Sequence, residues 1–219
     1  MPLAPGFAGP DHGKSKMPSL PRLDWQETSR LIRQDLEIYE IWWPGARPER
    51  PAWWRILSAV LGTEMFGANL FYRLQGYANA RGWLLVSGWL KALSRIFYAV
   101  SIGNEVLAEG GLYIAHGHVV VDGVCVLGRR CSLGPFVTIG LGNSARAPFD
   151  TEGPCLGEGV VVGTGAKILG SVSIGDRALI GANAVVVSDI PEGHSAAGAP
   201  AQSWPSGKRG QVPRTSVSR

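Results

Sequence analysis

The run LGEGVV-VGTGAK-ILGSVS-IGDRAL-IGANAV, residues 156–185, repeats one pattern every six positions. An apolar residue opens each unit at Leu156, Val162, Ile168, Ile174 and Ile180, and Val186 opens the next. Glycine follows at 157, 163, 175 and 181. Working back toward the N-terminus, the same register appears at Val121, Leu127, Leu133 and Ile139, with glycine at 128, 134 and 140. A helix would repeat its apolar positions every three or four residues, and a simple strand every two. A fixed period of six with small residues at the turns instead implies stacked coils in which each side is one short strand. Weaker units at Ile102–Gly103 and through Ile114 extend the repeat, giving an expectation of three or four triangular coils.

The period breaks twice. Ile102 to Ile114 is two units, but Ile114 to Val121 is seven residues, and His116 and His118 lie in that slip. A histidine in a β-rich domain is commonly structural. Where the register is locally violated, however, function is the usual reason. The second break, from Ile139 to Leu156, is seventeen residues and not a multiple of six. Leu141 to Pro154 is therefore expected to loop out, carrying Asn143, Arg146, Asp150 and Glu152 as candidate acceptor-binding groups. A solvated surface loop is the alternative, although long loops on rigid scaffolds are frequent binding sites.

Before the repeat, the sequence reads as helical. Asp24 followed by Glu27 forms a capping pair for a helix that carries Trp25, Ile32, Leu36 and Tyr39 and stops at Pro44–Gly45. A second stretch from about Trp53 to Ala80 is weakened by Gly62 and Gly67, and a third runs from about Trp83 to Ala99. In that third helix Ser87, Lys91, Ser94 and Arg95 recur at helical spacing, which leaves Leu85, Trp89, Leu93, Ile96 and Phe97 for the buried face. Seven of the eight tryptophans precede residue 100. Lys91 and Arg95 interrupt the apolar run, and roughly 20 uncharged residues are needed to span a bilayer. Packing of these helices on each other or on a second subunit is favoured over peripheral membrane contact. The expected organisation is a disordered N-terminus (1–20), an α-helical region (21–100), a coil domain (101–204) and a basic disordered tail (205–219). A coil stack exposes strand edges at both ends, so the helical region is expected to cap one end and Asp189 to Trp204 the other.

Net charge is +4 over 219 residues, but Lys208, Arg209, Arg214 and Arg219 follow the last acid, Glu192, so the body is neutral. No basic stripe with interleaved aromatics appears, which argues against nucleic-acid binding. Cys125, Cys131 and Cys155 are odd in number and sit at or near repeat turns. They read as small buried hydrophobes of a reducing compartment, no metal-ligand spacing is present, and cytoplasm is the expectation.

Several stretches together resemble the serine acetyltransferase group of hexapeptide-repeat acyltransferases, which also includes sugar and polysaccharide O-acetyltransferases. They are Gly111-Leu112-Tyr113-Ile114-Ala115-His116, Val137-Thr138-Ile139-Gly140, Gly163 through Gly170, and the turn from Ala196 to Ala201. Tyr72-Arg73-Leu74 extends the likeness into the helical region, so that it covers roughly residues 70–204. The resemblance implies a mainly β fold, a left-handed parallel β-helix with an N-terminal helical region. It further implies a homotrimer, with a dimer of trimers as an extension, and acetyl-CoA as acyl donor in a cleft between subunits. It places His116 as general base, with His118 as fallback, and leaves His194 structural. It maps donor contacts onto Gly163, Thr164, Ala182, Ala199 and Pro200.

Other positions depart from the family's pattern. The Asp that orients the histidine there corresponds to Ser101 here, the Asp directly before it to Ala115, and a second histidine to Gly153. A lysine corresponds to Leu179 and a basic residue to Gln202. Donor-side features persist while acceptor-side features are absent. The expected reaction is therefore O-acetylation of a sugar, polysaccharide precursor or other small metabolite. Serine acetylation, with Glu109 or a loop acid replacing the lost partner, is the alternative. A non-catalytic trimeric scaffold is the reading from another class.

Overall fold

The computed structural model describes residues 23–43, 46–142 and 152–206. Four helices come first: α1 (Trp25–Trp42), α2 (Ala52–Gly62), α3 (Phe66–Ala80) and α4 (Leu84–Tyr98). Among the described residues fifteen short strands follow. The first six are β1 (Val100–Ile102), β2 (Leu107–Ala108), β3 (Tyr113–Ile114), β4 (Val119–Val121), β5 (Val124–Leu127) and β6 (Ser132–Leu133). The next five are β7 (Thr138–Gly140), β8 (Glu152–Leu156), β9 (Val161–Val162), β10 (Lys167–Leu169) and β11 (Ser173–Ile174). The last four are β12 (Leu179–Ile180), β13 (Val185–Val186), β14 (His194–Gly198) and β15 (Ala201–Pro205).

Each strand from β4 to β13 stacks on the one three before it, and β14 stacks on β12, building three parallel sheets in the orders β1-β4-β7-β10-β13, β2-β5-β8-β11 and β3-β6-β9-β12-β14. The result is a parallel β-helix of about five turns. The expected three or four coils were too few. The weak units at Ile102, Ala108 and Ile114 form a complete first coil, and Ile190 bridges to Ile174 to extend the last.

The six-residue period has a direct physical meaning. Ile102, Val121, Ile139, Ile168 and Val186 stand in register down one sheet. Ala108, Leu127, Leu156 and Ile174 do so in the second, and Ile114, Leu133, Val162, Ile180 and Ala196 in the third. All are buried, so each hexad contributes one inward knob to a continuous apolar column.

The first coil presents an unpaired strand edge, and the helices satisfy it with side chains. Tyr39 of α1 donates its hydroxyl to the Ile114 carbonyl (3.0 Å) and accepts from the Ile114 amide (3.1 Å). Asp35 accepts the Gly111 and Leu112 amides at 2.9 and 3.0 Å. From α3, Asn69 donates to Leu112 O (2.6 Å), Tyr72 to Val106 O (2.7 Å), and Arg73 to Ala108 O and Glu109 O at 2.5 and 2.7 Å. Gln75 donates to Ile102 O at 3.1 Å. Asp35 and Arg73 also pair with each other, both buried. The cap is thus written in polar side chains rather than in further strands. At the other end β15 folds back antiparallel on β14.

Local signals read from the sequence fare unevenly. Asp24 caps α1, its carboxylate accepting the Glu27 amide at 2.8 Å. Ile32, Leu36 and Tyr39 are buried, whereas Trp25 stays half exposed against Tyr77. The stretch from Trp53 to Ala80 divides at Thr63–Met65, between its two glycines. α4 reverses the expectation: Ser87 and Ser94 are buried, while Leu85, Trp89, Ile96 and Phe97 are 69–84% exposed. The helix packs mainly on α3, and its small serines permit that approach, with Ser87 also reaching Asn104. No helix of the described residues is long and apolar enough to cross a membrane.

Cys125 and Cys131 are buried as expected, their thiols donating to Asp122 O and Gly157 O. Cys155 differs: it points outward from β8, between buried Pro154 and Leu156. Burial pushes the Cys125 and Cys131 thiols from 9.0 up to about 12. Because the folded state holds these protons more tightly, their stabilisation is complete below about pH 9 and is lost as pH rises toward 12. Iodoacetamide at pH 8 should label Cys155 alone in the native protein, with Cys125 and Cys131 reacting only after denaturation; mass spectrometry of the labelled peptides reads this directly.

Candidate functional site

The turn after β3 carries His116, and the turns that follow β6, β9, β12 and β14 stack above it on one corner of the prism. The ladder is explicit. Ala115 N donates to Leu133 O, Gly134 N to Val162 O, Gly163 N to Ile180 O, and Gly181 N to Ala196 O. A Cβ at Gly134 would lie 2.8 Å from Thr164 N, and one at Gly163 would lie 2.8 Å from Ala182 N. The structure therefore brings His116, Gly163, Thr164 and Ala182 onto one edge, and the Ala199–Pro200 turn between β14 and β15 closes the same side. With coils about 4.8 Å apart, four steps span roughly 19 Å.

His116 is exposed, and its Nδ1 lies 2.6 Å from Glu64 Oε2. Glu64 sits in the break between α2 and α3, so the helical region delivers a carboxylate to this imidazole. With Nδ1–H donating to that carboxylate, Nε2 keeps its lone pair free for a proton. Ser101, on β1, carries no charge, and Glu109 faces Arg129 Nε at 3.8 Å, so neither replaces the family's Asp. Sequence reasoning missed Glu64. Its only signal was an acid between two glycines in a doubtful helix, 52 residues from the histidine it meets.

A cavity of about 210 Å³ opens beside this pair, lined by Tyr39, Trp43, Thr63, Met65, Tyr113 and the His116–Glu64 pair. No lysine or arginine is among the described lining residues. A larger cavity of about 590 Å³ lies between α1, α3 and the β2 side of the coil, away from His116. Size alone would select it, but its described lining holds no histidine and no open nucleophile, so the smaller cavity is the candidate reaction site.

His118 adopts a left-handed backbone (φ 63°) and stacks flat on Phe136, with ring centroids 4.7 Å apart. His194 Nδ1–H donates to Glu192 O at 2.9 Å, a turn-stabilising contact. Of the loop candidates, Asn143, Arg146 and Asp150 lie outside the described residues. Glu152 belongs to β8, its backbone paired with Val124, so strand structure resumes before Pro154, where the loop was expected to end. Gly153 is closely packed: a Cβ there would sit 2.9 Å from the Val124 carbonyl and 2.7 Å from Cys125 Sγ. Leu179 and Gln202 are exposed on the coil surface. Among the described residues no group of three or more His, Cys, Asp or Glu side chains is placed to hold a metal ion.

Comparison with known proteins gives the family. Residues 156–188 match the bacterial transferase hexapeptide (six repeats) family. The chain is 37% identical over 152 residues to a serine acetyltransferase of Helicobacter pylori (strain J99 / ATCC 700824), covering 68% of this chain and 84% of that one. Among solved structures, the Neisseria gonorrhoeae serine acetyltransferase in complex with serine superposes with a TM-score of 0.68 at 27% identity, over 81% of this chain and 69% of that one. A serine acetyltransferase in complex with CoA gives a TM-score of 0.65 at 27% identity, over 82% and 70%. The coil, the capping helices and these relatives lead to one assignment: the chain belongs to the serine acetyltransferase family of hexapeptide-repeat acyltransferases.

Proposed function

We propose that this protein transfers an acetyl group from acetyl-CoA to the hydroxyl of a small molecule, with L-serine as the acceptor, working as a homotrimer. The observation that carries the reading is His116 at the foot of a corner lined above by Gly163, Thr164 and Ala182. Small side chains leave room for an extended thioester arm along the backbone. The relatives' names supply the acceptor: the curated relative is called a serine acetyltransferase, and one solved structure of the family contains serine.

In the reaction, His116 Nε2 accepts the hydroxyl proton as the oxygen bonds to the thioester carbonyl carbon. Negative charge builds on the carbonyl oxygen, which a hydrogen-bond donor at that position would stabilise. When the carbon–sulfur bond breaks, the imidazolium returns the proton to the sulfur, so the products are the O-acetyl ester and a free thiol. The histidine ends as it began.

A second reading, a sugar or other neutral hydroxyl compound, is favoured by two features. The cavity at His116 offers Trp43 and Tyr113 as aromatic walls and no described cation for an α-carboxylate. The packing at Gly153 also leaves no room for the side chain that the family's pattern has there.

Thiol release from acetyl-CoA by the purified protein, offered L-serine and then free sugars, nucleotide-sugars and glycans, decides between them. Turnover with L-serine is the expected result. Turnover with a sugar alone moves the assignment to the second reading. No turnover with any acceptor, together with no measurable CoA binding, reduces the protein to a scaffold.

A further inference from the structure

We infer that Glu64 is the positioning residue of the catalytic base, taking over from the α2–α3 break the task that its family's pattern gives to the coil position now held by Ser101. This rests on His116 being the base. Three observations carry it. The Glu64 carboxylate is 2.6 Å from His116 Nδ1, within the range of a charge-assisted hydrogen bond. Among the described residues, Glu64 forms no other ion pair or side-chain hydrogen bond with a side chain, so nothing else accounts for its aim. Its neighbours Thr63 and Met65 line the same cavity, which makes the helix break one wall of the reaction site.

The segment is held from both sides. Thr63 donates its hydroxyl to Ala59 O at 2.7 Å and accepts the Phe66 amide at 3.3 Å, closing the break into a tight turn. Phe66, the first residue of α3, is fully buried against Tyr39, whose hydroxyl grips Ile114 two residues before the base. Acid and base are thus tied to a common support. Glu64 itself is exposed, as is His116, so the contact adds little to folding; its effect is on the imidazole. By holding Nδ1 as the donor, the carboxylate presents Nε2 to the acceptor and favours the imidazolium formed in transfer. Delivery from the helical region also places a negative charge at the acceptor cavity that Ser101 could not supply.

The test uses the full chain. Imidazole ¹⁵N resonances of His116 report its tautomer in the absence of substrate, and thiol release reports turnover. In Glu64→Ala the Nδ1–H tautomer should lose its predominance. At the same time kcat should fall about 100-fold with KM for acetyl-CoA unchanged within twofold. Glu64→Gln, which keeps an acceptor oxygen, should retain the tautomer and lose less activity. An unchanged tautomer with kcat within twofold of wild type overturns the inference. So does a rise in acceptor KM at constant kcat, which would make Glu64 a binding group only. Full activity in His116→Ala removes the base reading itself and is scored separately from either Glu64 variant.

Discussion

His116→Ala is expected to lower kcat for acetyl transfer by about 10²–10⁴-fold, the range over which a positioned acid–base group acts. The loss should appear in kcat rather than in KM for acetyl-CoA, since the turns proposed to hold the donor, at Gly163, Thr164 and Ala182, lie on other coils. Folding should be untouched, because the ring is 60% exposed. The matching replacement of His118 provides the contrast. That residue stacks on Phe136 and has no carboxylate partner among the described residues, so His118→Ala should retain most of the activity. Steady-state thiol release on the two variants checks both. If His118→Ala is the inactive one, the roles of the two histidines are exchanged.

The largest effect on stability is expected within the helical cap, at Asp35→Ala. Asp35 is fully buried and accepts four hydrogen bonds, two from the Arg73 guanidinium and two from the Gly111 and Leu112 amides. Removing it strands the Arg73 charge in the interior together with two backbone donors. Breaking one partner of a buried pair costs about 3–5 kcal/mol, far more than the intact pair contributes over an apolar replacement. A drop of that size in denaturant-derived stability should be accompanied by loosening of α1 and α3 from the first coil. Hydrogen exchange at Gly111 and Leu112 would report that loosening. A loss below about 1 kcal/mol would show that the first coil does not depend on this buckle.

How much of this was legible in the sequence depends on whether the signal was periodic. Each hexad residue from Ile102 to Val186 was readable because a coil repeats one environment, and the environment selects one residue type. The slip at His116 was legible for the same reason, as a departure from period. Glu64 was not, since its meeting with His116 depends on how α2 and α3 dock on the coil, and docking leaves no spacing in the chain. The α4 face failed for a different reason. Amphipathicity shows that a helix has two faces, but Ser87 and Ser94 won the buried one because close approach to α3 needs small side chains. Lastly, the sequence placed Asn143, Arg146 and Asp150 in a loop by arithmetic, while their positions lie outside the described residues.

The polar side chains that close the first coil have a consequence for assembly. A coil end is a template: its free amides and carbonyls could accept another coil, from the same chain or from another molecule, with no limit to growth. Tyr39, Asn69, Tyr72, Arg73 and Gln75 occupy those groups one by one, yet offer no strand of their own to continue the ladder. Satisfaction without propagation is what keeps a solenoid from becoming a filament. The helical region thus fixes the length of the particle as well as protecting its end.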